Sequence, residues 1–139
     1  MFEPGPGTVF VDTSGLYAVL DGDDANHGTA TATWDALLDD TTLTLRSTSY
    51  VLVEITALVQ RRLGMEAVRT LDADVVPVLD IRWVDDAVHQ SAMSALFARG
   101  HRGVSLVDWV SFIVMREEGV NTAFAYDNDF TSQGFRLTG

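Results

Sequence analysis

The sequence predicts an α/β fold, with a central, mainly parallel sheet covered by helices on both faces. Short runs rich in β-branched and aromatic residues alternate along the chain with longer segments whose apolar residues recur every three or four positions. The chain has 139 residues, 47% of them hydrophobic and 21% charged, and shows no repeat or linker. We therefore expect one domain over residues 8–139, after a flexible leader containing Pro and Gly over residues 1–7.

The first half of the chain predicts two strands and three helices. In order these are a strand over residues 8–11, a helix up to residue 20, a helix over residues 25–40, a strand over residues 42–45 and a helix over residues 50–63. The hydroxyl residues Ser47, Thr48 and Ser49 are candidate N-caps of the third helix. Gly64 is expected to end or kink that helix.

The second half predicts three more strands and three helical segments. In order these are a weak helical segment over residues 66–74, a strand over residues 75–81, helices over residues 83–98 and 105–118, and strands over residues 122–126 and 135–137. Pro77 favours the edge or the start of its strand, because it has no backbone N–H to donate. The aromatic residues Phe97, Trp109 and Phe112 are expected in the core.

Composition excludes several classes of chemistry. The chain has no Cys, which excludes disulfides, thiolate nucleophiles and Cys-based zinc or iron–sulfur sites. All nine basic residues are Arg, which excludes a P-loop with its lysine and Schiff-base catalysis. No apolar run approaches the roughly 20 residues of a membrane span. Because no signal peptide is recognisable either, we expect an intracellular, cytoplasmic protein with no membrane partner.

Two of the 20 acidic residues lie among apolar neighbours, with no basic residue within helical reach. Most of the others lie in turns or near predicted helix ends, where carboxylates cap amides or face water. Glu54 lies in the apolar helical run at residues 50–55, and Asp108 lies in a similar run at residues 104–110. An ionised carboxylate in such surroundings lowers stability unless something compensates its charge.

Each candidate carboxylate also has an ordinary structural explanation. Ser105 and Asp108 have the spacing of a helix capping box, in which each side chain accepts the other residue's backbone N–H. Glu54 could pair with a distant Arg or be partly exposed. Asp12 and Asp127 follow predicted strands, where a helix cap or a turn residue is common. Taken one at a time, these four residues do not identify a site.

Taken together, the four carboxylates predict a metal site. The carboxyl ends of parallel strands share one edge of a sheet, so Asp12 and Asp127 lie on that edge. Glu54 and Asp108 belong to helices whose starts face the same edge. Their mutual repulsion requires a counter-charge, and a hard divalent cation with oxygen ligands, Mg²⁺ or Mn²⁺, suits it. Such ions at this edge favour hydrolysis of a phosphodiester bond.

In the order and spacing of its motifs, the chain resembles the PIN-domain nucleases, and within them the VapC-type ribonuclease toxins of toxin–antitoxin pairs. The matching motifs are Val11-Asp12-Thr13-Ser14, Glu54 in the third helix, Ser105-Leu106-Val107-Asp108, Ala125-Tyr126-Asp127-Asn128-Asp129-Phe130 and Gly134-Phe135. They extend over essentially the whole chain. The resemblance implies a PIN-like three-layer fold and a Mg²⁺-dependent endoribonuclease, with Mn²⁺ as the alternative ion.

The resemblance also implies roles for individual residues. Four acidic residues would form the catalytic quartet that holds metal, and a fifth is a further candidate ligand. In order, the quartet is Asp12, Glu54, Asp108 and Asp127, and the further ligand is Asp129. Three hydroxyl residues beside the quartet would donate to the substrate phosphate or to waters on the metal. They are Thr13, Ser14 and Ser105.

The net charge of -11 opposes RNA binding, which relies on cationic contacts to phosphates. Bound metal cancels part of that charge locally, and arginines can supply a positive rim. The candidates for this rim are Arg46, Arg61, Arg62, Arg99, Arg102 and Arg116. Arg99 and Arg102 are the favoured substrate contacts, because the glycines around them make a flexible loop just before the helix of Asp108.

The acidity of the chain suits a second kind of partner. A basic segment of a cognate antitoxin would be attracted to the carboxylates, and an Arg of that segment would take the place of metal. The resemblance itself implies an antitoxin that occludes the site, and a homodimer formed through helical faces.

The sequence leaves one alternative function open and disfavours two others. A PIN nuclease of RNA processing or decay without an antitoxin would carry the same residues. A catalytically inert PIN-fold binding module has no support, because all four expected acids are present. A phosphatase of the haloacid-dehalogenase type expects an acidic residue where Ser14 stands, and a lysine that this chain lacks.

Overall fold

A computed structural model describes residues 7–100 and 102–138. Residues 1–6, most of the predicted leader, lie outside the described residues. Gly7, the last residue of that leader, is described, and its carbonyl accepts the Thr44 N–H at 2.7 Å. None of the helices in the described ranges is long and apolar enough to cross a membrane.

The described chain forms an α/β fold around a five-stranded parallel sheet, as predicted. The strands are β1 (Thr8–Val11), β2 (Thr44–Thr48), β3 (Asp80–Arg82), β4 (Thr122–Phe124) and β5 (Arg136–Leu137). Their order is β3-β2-β1-β4-β5, and every neighbouring pair is parallel. The chain builds the sheet outward from β1 and then returns to the other side of β1 with β4. This change of direction leaves a crevice at the carboxyl ends of β1 and β4, where sheets of this kind bind ligands.

Helices connect the successive strands, as parallel pairing requires. They are α1 (Thr13–Leu20), α2 (His27–Asp39), α3 (Ser49–Leu63), α4 (Met65–Thr70), α5 (Asp86–Arg99), α6 (Leu106–Glu118) and the single turn α7 (Asp129–Ser132). Local signals set their ends. Thr48 caps α3, because its hydroxyl oxygen accepts the Val51 N–H, and Gly64 ends α3 with a φ angle of 92°.

The strand predicted over residues 75–81 is wrong for most of its length. Residues 71–75 form a π-helical turn, residues 76–78 form a 3-10 turn, and β3 begins only at Asp80. Pro77 fits the first turn of a helix, where its missing N–H is not needed. The apolar run before β3 therefore packs as helical turns, with Val75 buried. β3 itself does lie at an edge of the sheet.

The ends of strands β2 and β4 and the position of one predicted core residue also differ from the prediction. β2 runs on to Thr48, because polar residues near its end are satisfied while buried; the Ser47 hydroxyl donates to the Val11 carbonyl at 2.8 Å. β4 ends at Phe124 instead of residue 126. Phe97 is 77% exposed, whereas Trp109 and Phe112 are buried as predicted.

The position of Phe97 follows from the geometry of α5. This helix buries Val88 and Ala92 against the rest of the protein. Phe97 comes nine residues after Val88, or about two and a half helical turns, which places it on the opposite face. Aromatic character alone therefore does not identify a core position when the buried stripe of the helix is not known.

A buried ion-pair network joins the β2 side of the sheet to the end of α6. Arg46 in β2 is 7% exposed, and its guanidinium donates to both carboxylate oxygens of Glu118, at 3.0 and 2.9 Å, and to Asp80 at 3.0 Å. Arg82 in β3 donates to Glu118 and to Glu117, each at 2.9 Å. The network anchors the far end of the helix that carries Asp108 at its start. Such buried charges require partners of opposite sign.

Removal of the buried guanidinium tests this network. We expect Arg46→Ala to lower the free energy of unfolding by about 3–5 kcal/mol, because Glu118 loses its main partner in a buried place. The exposed pair between Arg69 and Glu66, 2.9 Å apart, offers a control. Arg69→Ala should cost less than about 1 kcal/mol. Urea denaturation at neutral pH measures both variants, and equally small losses would contradict the structural role of Arg46.

Candidate active site

The corner between β1 and α1 places Asp12 at the crevice. The Asp12 N–H donates to the Phe124 carbonyl at 3.1 Å, which continues the pairing of β1 with β4 by one residue. Asp12 then caps α1, because its Oδ2 accepts the Ser14 N–H at 3.1 Å and the Ser14 hydroxyl at 2.6 Å. The residue is only 3% exposed. A cap that directly follows the central strand therefore holds a buried carboxylate at the carboxyl end of the sheet.

Ser14 ties this corner to the segment that follows β4. Its hydroxyl donates to Asp12 and accepts the Tyr126 N–H at 2.9 Å. The structure therefore places Ser14 as a brace between two segments that carry carboxylates. Donation to a phosphate, the role that the resemblance implies, requires its bond to Asp12 to break. The neighbouring Thr13 lines the site, and its hydroxyl is buried with no hydrogen-bond partner among the described residues.

Gly15 lets α1 lie against the end of β4. A Cβ at this position would be 2.5 Å from the Phe124 carbonyl oxygen and 2.8 Å from an atom of the Phe124 ring. Both distances are shorter than real side chains show, so the contact depends on a residue without a side chain. This close approach brings the segment of Asp12 next to the segment of Asp127.

The start of α6 holds Asp108 through a capping box. The Ser105 hydroxyl accepts the Asp108 N–H at 3.2 Å, and Asp108 Oδ2 accepts the Ser105 N–H at 2.9 Å. The structural explanation that their spacing offered is therefore present. It engages Oδ2 and leaves Oδ1 without a hydrogen bond to another described residue. A helix cap and a metal ligand are thus compatible roles for the same side chain.

Asp127 and Asp129 complete a group of three carboxylates with Asp108. Asp127 follows β4, and its Oδ1 accepts the Asp129 N–H at 2.9 Å. One carboxylate oxygen from each of the three residues lies within 4.8 Å of the other two. This spacing suits a shared cation with oxygen ligands. Asp129, which the resemblance gave only as a further candidate ligand, is therefore brought next to two members of the quartet.

Burial and mutual repulsion raise the pKa values of these carboxylates. Burial raises the pKa of Asp12 to about 7, against the opposing effect of hydrogen bonds from Ser14. The charges of Asp108 and Asp127 add to that increase in the Asp12 pKa. Burial raises the pKa of Asp127 to about 6, with the neighbouring acids adding to the effect, and also raises the pKa of Asp108. Near neutral pH, protons therefore remain in the metal-free site.

A cleft of about 340 Å³ opens onto these carboxylates, and all four members of the predicted quartet line it. Glu54 reaches the cleft from α3 and lies outside the three-carboxylate group. Its carboxylate is partly exposed and makes no hydrogen bond or ion pair with another described residue, so the described ranges favour the alternative of partial exposure over that of a distant Arg partner. The cleft is thus acidic on several sides.

Some residues of the cleft were not singled out from the sequence. They are Tyr17, Asp24, Asn26, Leu58 and Tyr126. Asp24 is one of the acidic residues that the sequence places in turns, and its Oδ1 accepts the Asn26 N–H at 2.8 Å. No local signal separates it from the other turn aspartates, because only the packing of its loop beside α1 brings it to the cleft.

Arg99 and Arg102 are not among the residues that line the cleft. Arg99 ends α5, with its guanidinium carbon 6.0 Å from the centre of the Trp109 ring, and Arg102 is exposed in the following loop. Their contact with substrate stays a prediction.

Comparison with known proteins assigns a family to this fold and site. A sequence profile described as the PIN domain matches residues 9–135. The chain belongs to the PIN-domain family. It is 34% identical over 128 residues to the 23S rRNA-specific endonuclease VapC20 of Mycobacterium tuberculosis, with 91% of this chain and 95% of that protein covered. The family inferred from the motifs is confirmed.

Solved structures share the architecture of this PIN domain. The crystal structure of Mycobacterium tuberculosis VapC20 has a TM-score of 0.81 and 33% identity, and covers 91% of this chain and 95% of that one. VapBC2 from Rickettsia felis, bound to promoter DNA, has a TM-score of 0.68 and 14% identity, with 94% and 97% covered. FitAcB from Neisseria gonorrhoeae has a TM-score of 0.67 and 15% identity, and the match covers 94% of this chain and 96% of that one. The last two comparisons bear on the fold alone.

The raised pKa of Asp12 predicts how the stability of the metal-free protein depends on pH. Its folded value, about 7, lies above the ordinary value of 3.8, so the folded state binds the proton more tightly than the unfolded state. The free energy of unfolding therefore falls as the pH rises from about 4 to about 7, by a few kcal/mol from this group. We expect Asp12→Asn to lose this decline and to be more stable than the wild type above that range.

Urea denaturation in EDTA, at about pH 5 and about pH 8, measures the effect. Asn keeps the oxygen that caps α1, so the variant removes the charge and preserves the cap. A stability difference between variant and wild type that is the same at both pH values would contradict the raised pKa.

Proposed function

We propose that this protein is a metal-dependent endoribonuclease and the toxin of a VapBC-type toxin–antitoxin pair. The observation that carries the proposal is the convergence of Asp12, Glu54, Asp108 and Asp127 on one cleft. It is supported by the 34% identity to an RNA endonuclease of the same family. The requirement for metal rests on the charge and geometry of the cleft.

The residues present suit a divalent cation such as Mg²⁺ or Mn²⁺. Oxygen atoms of Asp108, Asp127 and Asp129 lie close enough together to share one ion, and hard cations prefer such ligands. Burial raises the pKa of Asp12, and the charges of Asp108 and Asp127 add to the increase, so a cation at this place would offset both effects. Asp108, Asp127 and Asp129 would hold the ion, with Asp12 and Glu54 lining the same cleft beside them.

When bound, such an ion lowers the pKa of a coordinated water and stabilises negative charge on a phosphodiester. The chain's own residues fix the positions at which this happens. Ser14 and the capping box of α6 hold Asp12 and Asp108 before the substrate arrives, so little reorganisation is needed. The Glu54 carboxylate has no partner among the described residues and is available to orient a water or accept its proton. As the water oxygen bonds to phosphorus, the bond from phosphorus to the leaving ester oxygen breaks, and that oxygen takes a proton from solvent.

The relative of known specificity suggests the substrate, and the negative charge of the chain suggests the partner. We infer that the RNA is ribosomal, because the curated relative is specific for 23S rRNA. An antitoxin would insert an Arg among the carboxylates, where bidentate pairing replaces the cation. Its basic segment would be attracted by the net charge of -11. Cytoplasmic location and homodimer formation stay expectations, and light scattering of the purified protein tests the latter.

Cleavage of purified ribosomal RNA tests the activity. We expect cutting with Mg²⁺ or Mn²⁺ that stops in EDTA. Asp108→Asn and Asp127→Asn weaken the metal site, so their cleavage rates should be at least about 100-fold lower than that of the wild type. Asp23→Asn is the matched control, because Asp23 is exposed and does not line the cleft. It should cut at the wild-type rate.

Gel analysis of the RNA distinguishes the outcomes. A folded wild-type protein that cuts no RNA with either ion would contradict the proposed function. Full activity of Asp108→Asn would instead remove that residue from the site and leave the ribonuclease activity standing.

A further inference from the structure

RNA binding by so acidic a chain needs positive charge close to the cleft. The chain has nine basic residues besides His, all of them Arg, against 20 acidic ones. Several of these arginines are engaged by the protein itself. Arg46, Arg69 and Arg82 pair with carboxylates, and Arg116 donates to the Gln133 side chain at 2.6 Å. A cation that serves the substrate must come from the remainder.

Arg61 lies beside an opening that adjoins the carboxylate cleft. This second opening, of about 390 Å³, is lined by Thr13, Glu54, Ala57, Leu58 and Arg61. Thr13, Glu54 and Leu58 also line the carboxylate cleft, so the two openings share a wall. Arg61 follows Glu54 by seven residues on α3, about two helical turns, which places both side chains on the same face of the helix.

The guanidinium of Arg61 is exposed and makes no ion pair, hydrogen bond or ring contact with another described residue. The sequence explains this, because the positions three and four residues away are Ala57, Leu58, Gly64 and Met65, none of them acidic. The adjacent Arg62 differs, since its guanidinium carbon lies 5.6 Å from the centre of the Tyr17 ring. Arg61 is therefore a cation with its donors available, at the border of an acidic site.

We propose that Arg61 binds a backbone phosphate of the RNA next to the phosphate that is cleaved. This inference rests on the proposed ribonuclease function. A strand whose reacting phosphate lies among the carboxylates continues past Glu54 and Leu58 to Arg61. There the planar guanidinium makes charge-assisted hydrogen bonds to phosphate oxygens. Arg61 is thus a positioning residue that holds the strand in register with the site.

A phosphate contact has a signature that a base contact lacks. Phosphates are the same at every nucleotide, so loss of Arg61 weakens the binding of all RNA sequences alike. Binding of RNA to the variant also releases one fewer counterion, which makes the slope of log affinity against log salt shallower by about 0.7 for a single strand. The chemistry at the carboxylates is untouched, so the maximal rate is preserved and the half-saturating RNA concentration increases.

The test compares Arg61→Gln with Arg69→Gln, a matched control that removes the same charge from an exposed arginine of α4. Fluorescence anisotropy measures the affinity for two single-stranded RNA oligonucleotides of unrelated sequence, at several salt concentrations. Ca²⁺ replaces Mg²⁺ in these titrations, and a gel checks that the RNA stays intact. Cleavage of purified ribosomal RNA with Mg²⁺ then gives kcat and KM for the same proteins.

We expect Arg61→Gln to bind both oligonucleotides about fivefold more weakly and with the reduced salt slope, while Arg69→Gln binds as the wild type does. Its KM should increase and its kcat should stay the same. Wild-type affinity and salt slope in Arg61→Gln would overturn the inference while leaving the ribonuclease intact, and so would a loss confined to kcat. A wild-type protein that neither binds nor cleaves RNA would overturn the proposed function, and this inference with it.

Discussion

The burial of several carboxylates close together at the ends of β1 and β4 is the constraint on which the site depends. The change of direction of the sheet makes a crevice there, and Asp12, Asp108 and Asp127 all line it. Asp12 is nearly buried, and this loss of hydration raises its pKa to about 7, with repulsion from Asp108 and Asp127 adding to the increase. Without a cation, only protons can relieve the repulsion. A site of this kind is therefore incomplete until positive charge enters it, whether from metal or from a partner's arginine.

The same fold supplies the rigidity that holds these charges together. Each acidic side chain accepts a hydrogen bond at or near the start of a helix: Asp12 caps α1, Asp108 closes the capping box of α6, and Asp127 accepts an N–H of Asp129. These bonds stabilise the ionised form, and burial destabilises it. The capping role also explains why substitution by Asn isolates the effect of charge, since the accepting oxygen remains. At the other end of α6, the buried partners of Glu118 fix the helix to the sheet.

Local patterns predicted the parts of the site that local structure determines. Asp12 and Asp127 follow strands, and Ser105 with Asp108 has capping-box spacing, so their place on the sheet edge could be inferred from spacing and strand order. Glu54 was identified by its apolar surroundings. Asp24 could not be found this way, because a turn is its ordinary place, and Arg61 could be listed among the arginines of a rim but not preferred over them. Only the packing of their elements around α1 shows what they border.

The incorrect predictions have a common origin. Residues 75–81 are apolar enough for a strand, but most of them belong to the two helical turns that precede β3. Tertiary packing overrides the tendency of a short apolar run without clear periodicity. Phe97 is apolar and exposed, because the buried face of α5 was set by residues elsewhere on the helix. In both cases the apolar residues were clear from the sequence, but the conformation of the segment or the side of the helix that is buried was not.

We expect a cation to take the place of protons among these carboxylates. Calorimetric titration of metal-free protein with Mn²⁺, in buffers with different enthalpies of protonation, counts the protons released on binding. At about pH 6, where Asp12 and Asp127 are wholly or partly protonated, binding should release protons, and the release should disappear at about pH 9. Asp12→Asn should release fewer protons than the wild type when it binds Mn²⁺ at about pH 6. Failure to bind Mn²⁺, or binding without proton release at the lower pH, would contradict the account.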